Sequence, residues 1–166
     1  QTCALPICWQ GALQALGAQA DSILARGVQQ VVADQVRAGV EIPTDGELRR
    51  ENYIHYHCRH LKGIDFSTLT ERSLRNDAYV ARLPTIVASV TARDLFLAQD
   101  WKRAQRYTEK PVKMTMPGPM TIGDTTADAF YDDPKKRGQD LADALNKEVL
   151  DLAQAGCRHI QIDEPL

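Results

Sequence analysis

Apolar residues recur at helical spacing over residues 21–40, where Ile23, Val28, Val31, Val32 and Val36 share one face. Asp21 can cap the start of that helix and Gly39 its end. A brief extended piece, 40–44, then delivers the turn Asp45-Gly46-Glu47. Residues 49–60 read as a polar, aromatic-rich helix. Residues 61–80 show no clean period, contain Gly63, Asp65 and Ser67, and read as an irregular excursion. β-Branched residues crowd 83–90 and predict a buried strand. Thr91 and Asp94 then form a loose capping box that opens a helix over 92–107. Residues 111–116 make the next strand, stopped at Met116-Pro117-Gly118-Pro119 because proline cannot continue a sheet. Leu141, Leu145, Val149 and Leu152 mark the clearest helix, 134–155, which Gly156 ends, and 158–162 closes as a strand.

The predicted order is α-β-α-β-α-β-α-β, which implies parallel strands joined by right-handed crossovers. Four strands are half of a (β/α)8 TIM barrel, so the expected class is α/β: a small open sheet, or a partial barrel with about four parallel strands of the eight and flanking helices.

At 166 residues the chain is long enough for one domain with a sizeable core, and 43% hydrophobic with 25% charged residues is ordinary for a soluble protein. A net charge of -2 gives no electrostatic case for nucleic acid or an anionic membrane. No apolar run approaches the roughly 20 residues that cross a bilayer, and no signal peptide is visible, which favours the cytoplasm. Residues 1–7, Gln-Thr-Cys-Ala-Leu-Pro-Ile, spell the translation of a widely used sequencing adapter. They read as a scar, in agreement with the missing initiator Met, and residues 8–166 as the native part. Of Cys3, Cys8, Cys58 and Cys157, only the last two are then safely native, and two scattered cysteines are expected to be free thiols.

The candidate chemistry gathers in two acidic motifs beyond predicted strands, where α/β proteins bind ligands. In the first, residues 43–50, Glu47 can pair with a substrate ammonium, while Asp45 and Gly46 can equally be a plain turn. Arg49 and Arg50 oppose the dipole of the helix they would start, so a substrate carboxylate or Asp45 must justify them. In the second, 159–166, Ile160 and Ile162 would bury the strand and leave Asp163 and Glu164 just outside it, as functional groups or as a polar turn. His55 to His60 resembles a metal cluster, but only His57 and His60 can converge, and a partly buried aromatic-histidine face is the other reading. Gly118 allows close backbone approach to a ligand or simply ends a strand; Lys113 points into the site or snorkels.

Together, the stretches VVADQVRAGVEIPTDGELRR, KPVKMTMPGPMTI and LAQAGCRHIQIDEP resemble the catalytic barrel of the cobalamin-independent methionine synthase family and its shorter relatives, over residues 21–166. The resemblance implies methyl transfer to homocysteine, activated as a zinc-bound thiolate, with a methylated folate as donor in full-length enzymes. It implies that Glu47 and Asp163 bind the homocysteine amino group, with Asp45 and Glu164 beside them and Arg82 at the place of a folate-contacting arginine. Two departures are visible: Thr125 stands where those enzymes carry a pterin-stacking tryptophan, and the His-x-Cys zinc ligands are absent, so they are expected downstream. The chain is expected to be a fragment, inactive alone. The alternatives are a related barrel, corrinoid-dependent or uroporphyrinogen-decarboxylase-like, or a non-enzymatic α/β binding module.

Overall fold

The first helix, α1 (Ala18–Arg37), turns Leu24, Val28 and Val32 into the interior, as the apolar spacing requires. This is a computed structural model, which describes residues 15–74 and 79–165; the expectations for residues 1–7, Cys3 and Cys8 fall outside them. Asp21 is not the cap but a first-turn residue, and it pairs with Arg49 at 2.8 Å. The helix ends in a Schellman motif: Val40 N–H donates to the Gln35 carbonyl (2.9 Å) and Gly39 N–H to Val36 (3.1 Å), with Gly39 at φ 88. Of the extended piece, only Thr44 forms a sheet contact, a parallel bridge to Lys113. Helix α2 (Tyr53–Cys58) is shorter than expected because Asn52 caps it, accepting from the N–H groups of Ile54 and His55 at 2.9 Å each.

Residues 61–74 and 79–80 are regular strand rather than an irregular excursion. Strands β1 (Leu61–Leu74) and β2 (Tyr79–Ala92) pair antiparallel along a long ladder. Register shifts between Lys62 and Ile64 and between Asp65 and Thr70 break the two-residue alternation that would have exposed β1 in the sequence. Gly63 sits at such a shift, at φ 87, where a Cβ would lie 2.6 Å from the carbonyl oxygens of Ala88 and Ser89.

Helix α3 (Leu97–Gln105) starts later than the Thr91–Asp94 pattern predicted. Its cap comes from elsewhere: the Glu148 carboxylate accepts from Phe96 N–H at 3.1 Å and Leu97 N–H at 3.2 Å. Burial pushes the Glu148 pKa up to about 7, against the lowering effect of those two bonds. There follow β3 (Lys113–Pro117), α4 (Pro119–Asp124), the two-residue β4 (Ala127–Asp128), α5 (Pro134–Ala155) and β5 (His159–Asp163). Helix α5 has the expected bounds, and Gly156 at φ 101 ends it while Cys157 N–H reaches the Leu152 carbonyl at 3.0 Å.

The single sheet of four parallel strands is therefore corrected. Among the described residues Thr44, β3 and β5 line up parallel, β4 pairs parallel with β2, and β1–β2 is antiparallel. The four residues between β1 and β2 cannot hold a crossover, so the pair must reverse. The fold is mixed α/β with partly parallel strands. Met114 and Met116 of β3 and Ile160 of β5 face a core shared with Ile86, Val90, Leu97, Leu141, Leu145 and Leu152. Ile162, expected to be buried, is 53% exposed. No helix among the described residues is long and apolar enough to cross a membrane.

Candidate functional site

Side chains alternate across a strand, so the positions between the core methionines point to the opposite face of the sheet. Lys113 and Thr115 share that face with Gln161 and Asp163; Thr115 lies opposite Gln161, and Pro117 opposite Asp163. A polar surface thus runs up to the carboxyl ends of the two strands.

The first acidic motif reaches this surface through a strained turn. Asp45, 4% exposed, accepts from Glu47 N–H at 3.1 Å, and Gly46 follows at φ 71. Glu47 itself lies at φ 56, the one non-glycine residue with positive φ among those described. That conformation costs a side-chain-bearing residue about 1–2 kcal/mol. It delivers the carboxylate to β3. Glu47 Oε1 accepts from the Thr115 hydroxyl at 2.6 Å and from Arg50 Nη1 at 3.0 Å. Arg50, with a side chain 2% exposed, also donates to the Thr115 hydroxyl at 3.1 Å and the Thr115 carbonyl at 2.8 Å. Glu47 Oε2 has no partner among the described residues. Burial raises the Asp45 pKa, partly offset by the Arg50 charge.

Asp163 is held differently. Tyr53 donates to Oδ2 at 2.8 Å and Gln161 Nε2 to Oδ1 at 2.6 Å, while Lys113 Nζ donates to Gln161 Oε1 at 2.6 Å. Burial, and then the Asp163 carboxylate, push the Tyr53 phenol well above its usual range, so it remains a donor. Both expected ammonium ligands, Glu47 and Asp163, therefore lie on one polar face with Asp45 beneath. Arg50 pairs with Glu47, whereas Lys113 reaches Gln161 rather than a carboxylate, so Asp163 has no direct cationic partner among the described residues, an arrangement suited to a cation.

The other expected residues do not join this face. Glu164 turns away: Oε1 accepts from Met120 N–H (2.9 Å), and Oε2 from Thr121 N–H (2.7 Å) and its hydroxyl (2.6 Å), capping α4. A Cβ at Gly118 would fall against that same carboxylate, which would have to shift. Arg82 lies on β2 opposite Glu71 and takes no part in the network. Thr125 turns its hydroxyl onto the Thr121 carbonyl at 2.5 Å. Sequence reasoning misses Tyr53, Thr115 and Gln161, although two-residue alternation from Lys113 and Asp163 points to the last two.

The histidine run forms an aromatic face. His60 stacks on Phe96 with centroids 3.8 Å apart, and Tyr56 meets the same ring edge-on at 5.1 Å. His57 Nδ1 donates to the Tyr53 carbonyl at 3.0 Å, and burial depresses its pKa to about 3. Cys58 and Cys157 are free and buried, and burial pushes the Cys58 thiol up to about 12. Among the described residues no group of three His, Cys, Asp or Glu side chains is placed to hold a metal ion.

Partly parallel strands with packed helices, and a polar face running to the strand ends, define the class as mixed α/β. Residues 10–166 match the model of the family described as "Cobalamin-independent synthase, Catalytic domain", and the chain belongs to that family. It is 35% identical over 137 residues to the methionine synthase of Saccharolobus solfataricus, covering 81% of this chain and 40% of that protein. The methionine synthase of Sulfurisphaera tokodaii is 34% identical over 140 residues, covering 83% and 40%. The chain thus spans about two fifths of the length of the curated relatives it matches. Among solved structures, a B12-independent methionine synthase from Shewanella sp. W3-18-1 in complex with selenomethionine superimposes with a TM-score of 0.83 at 34% identity, over 90% of this chain and 43% of that one. A chain from Listeria monocytogenes, 20% identical over 89% of this chain and 46% of that one, shares the fold with a TM-score of 0.69.

Proposed function

We propose that this chain is the part of a methionine-synthase-type S-methyltransferase that holds the amino-acid end of the methyl acceptor, homocysteine or a similar thiol. The observation that carries the proposal is the open Glu47 Oε2 on the same sheet face as the oriented Asp163 carboxylate. An ammonium group needs acceptors in a partly dried site, and these two carboxylates supply them. The selenomethionine complex of the Shewanella relative, a selenium analogue of the methylated product, supports an amino acid as ligand.

In this reading Thr44, β3 and β5 belong to adjacent parallel strands of a partial (β/α)8 barrel, and the polar face looks into its interior. The chain's own residues bind and orient: Arg50 and Thr115 fix one oxygen of Glu47, and Asp163 receives the second side of the ammonium. A zinc ion, implied by the family resemblance, would activate the acceptor thiol as thiolate. The described residues do not fit that ion: the Cys58 thiol is held protonated by burial and His57 is enclosed by aromatic rings. Its ligands would come from sequence outside this chain. In this reading Glu164 serves the start of α4 rather than the acceptor, and Thr125 stands where a folate-stacking tryptophan would be.

Glu47→Ala and Asp163→Ala, each in the protein containing this chain, should raise KM for homocysteine by about 10- to 100-fold, the worth of one charged hydrogen bond. Unchanged kinetics in both variants would refute the assignment.

A further inference from the structure

The two carboxylates differ in how they are held. Both Asp163 oxygens already have donors, and one of those donors is itself fixed. Lys113 Nζ can only donate, so it selects the Gln161 amide orientation with Oε1 toward it, and Nε2 must then face Asp163. Without Lys113 the amide could turn over and set an oxygen against the carboxylate. On the other side the Tyr53 phenol, raised in pKa by burial, holds the second oxygen. The Arg50 guanidinium also lies 5.9 Å from the Tyr53 ring centroid, so the segment that grips Glu47 grips Asp163 as well. Each Asp163 oxygen keeps one further lone pair, aimed by this bracing.

We propose that Lys113, Gln161 and Tyr53 are positioning residues that lock Asp163 so that it reads the α-ammonium of the acceptor. The selectivity for an amino thiol over the same thiol without its amino group resides in this brace. The inference rests on the acceptor reading above. A carboxylate free to rotate would meet an ammonium only after losing rotamer entropy; a braced one meets it at no such cost.

The test is equilibrium binding by titration calorimetry, in the protein containing this chain, of L-methionine and of its des-amino analogue γ-methylthiobutanoate. Tyr53→Phe and Gln161→Met each should reduce the preference for L-methionine by about 10-fold, the worth of one hydrogen bond to a charged group. KM for homocysteine should rise by more than kcat falls, a split that a merely structural role would not give. Gln161 is exposed, so its variant reads the effect even if Tyr53→Phe disturbs folding. An unchanged preference in Gln161→Met overturns the brace. Glu47→Gln separates the two levels: preference lost there but kept in both brace variants defeats only the brace, whereas preference kept in all three defeats the acceptor reading too.

Discussion

The two acidic motifs look alike in sequence and behave in opposite ways. In the first, the turn is under strain and the result is an open carboxylate: Glu47 lies at φ 56 with one oxygen tied to Arg50 and Thr115 and the other open among the described residues. In the second, the backbone is regular strand to Asp163, and both acids are occupied, Asp163 by Tyr53 and Gln161, Glu164 by the start of α4. The difference suits different tasks: Glu47 presents a free oxygen, Asp163 presents oxygens aimed by one donor each, and Glu164 holds the strand end to its neighbouring turn. Backbone strain persists where the surroundings over-determine it, and here the buried Arg50 does so.

The largest effect should come from breaking the strained turn. Gly46→Ala combines φ 71 with a Cβ 2.6 Å from Val31 Cγ1, and should lower stability by about 2–4 kcal/mol, read from the urea midpoint. Arg50→Met leaves Glu47 unneutralised and the Thr115 carbonyl without its donor. It should cost about 2–3 kcal/mol, with loss of acceptor binding in the same preparation. On the second motif Glu164→Ala should cost about 1 kcal/mol, a lost helix cap, and leave acceptor affinity intact. If it abolished binding instead, the division between the motifs would be wrong.

Glu47→Gly relieves the positive φ but leaves the buried Arg50 guanidinium without its carboxylate, so the two effects largely offset, and stability should fall by about 1 kcal/mol while acceptor binding is lost. The smallest effect concerns pH. Burial raises the folded Asp45 pKa above 3.8, so its contribution is fully present below that value and declines as pH rises through the folded pKa. Asp45→Asn should flatten that limb of a melting-temperature profile; an unaltered profile would show that Asp45 does not titrate this way.

Regular elements with an intact period are legible in the sequence. Helix α5 has the expected limits because its apolar stripe, Pro134 at the start and Gly156 at the end agree with one another. Strands β3 and β5 are legible for the same reason. Of the hairpin, β2 is legible as the expected strand 83–90, but β1 is not, because its register shifts erase the alternation by which a strand is read. The start of α3 departs from the Thr91–Asp94 pattern because its cap, Glu148, is far away in the chain and no local pattern contains it. At the site, Glu47 and Asp163 stand out by type and place. Glu164 stands out equally in sequence but serves another turn, where its partners Met120 and Thr121 lie.

By itself, then, the sequence determined the main helices, the strands β3 and β5, and the presence of carboxylates at strand ends, since all of these follow from local spacing. Only the tertiary structure decided which carboxylate stays open. That depends on which donors are brought within 3 Å from distant segments, Thr115 to Glu47 and Tyr53 to Asp163, and short-range pattern carries no record of such meetings.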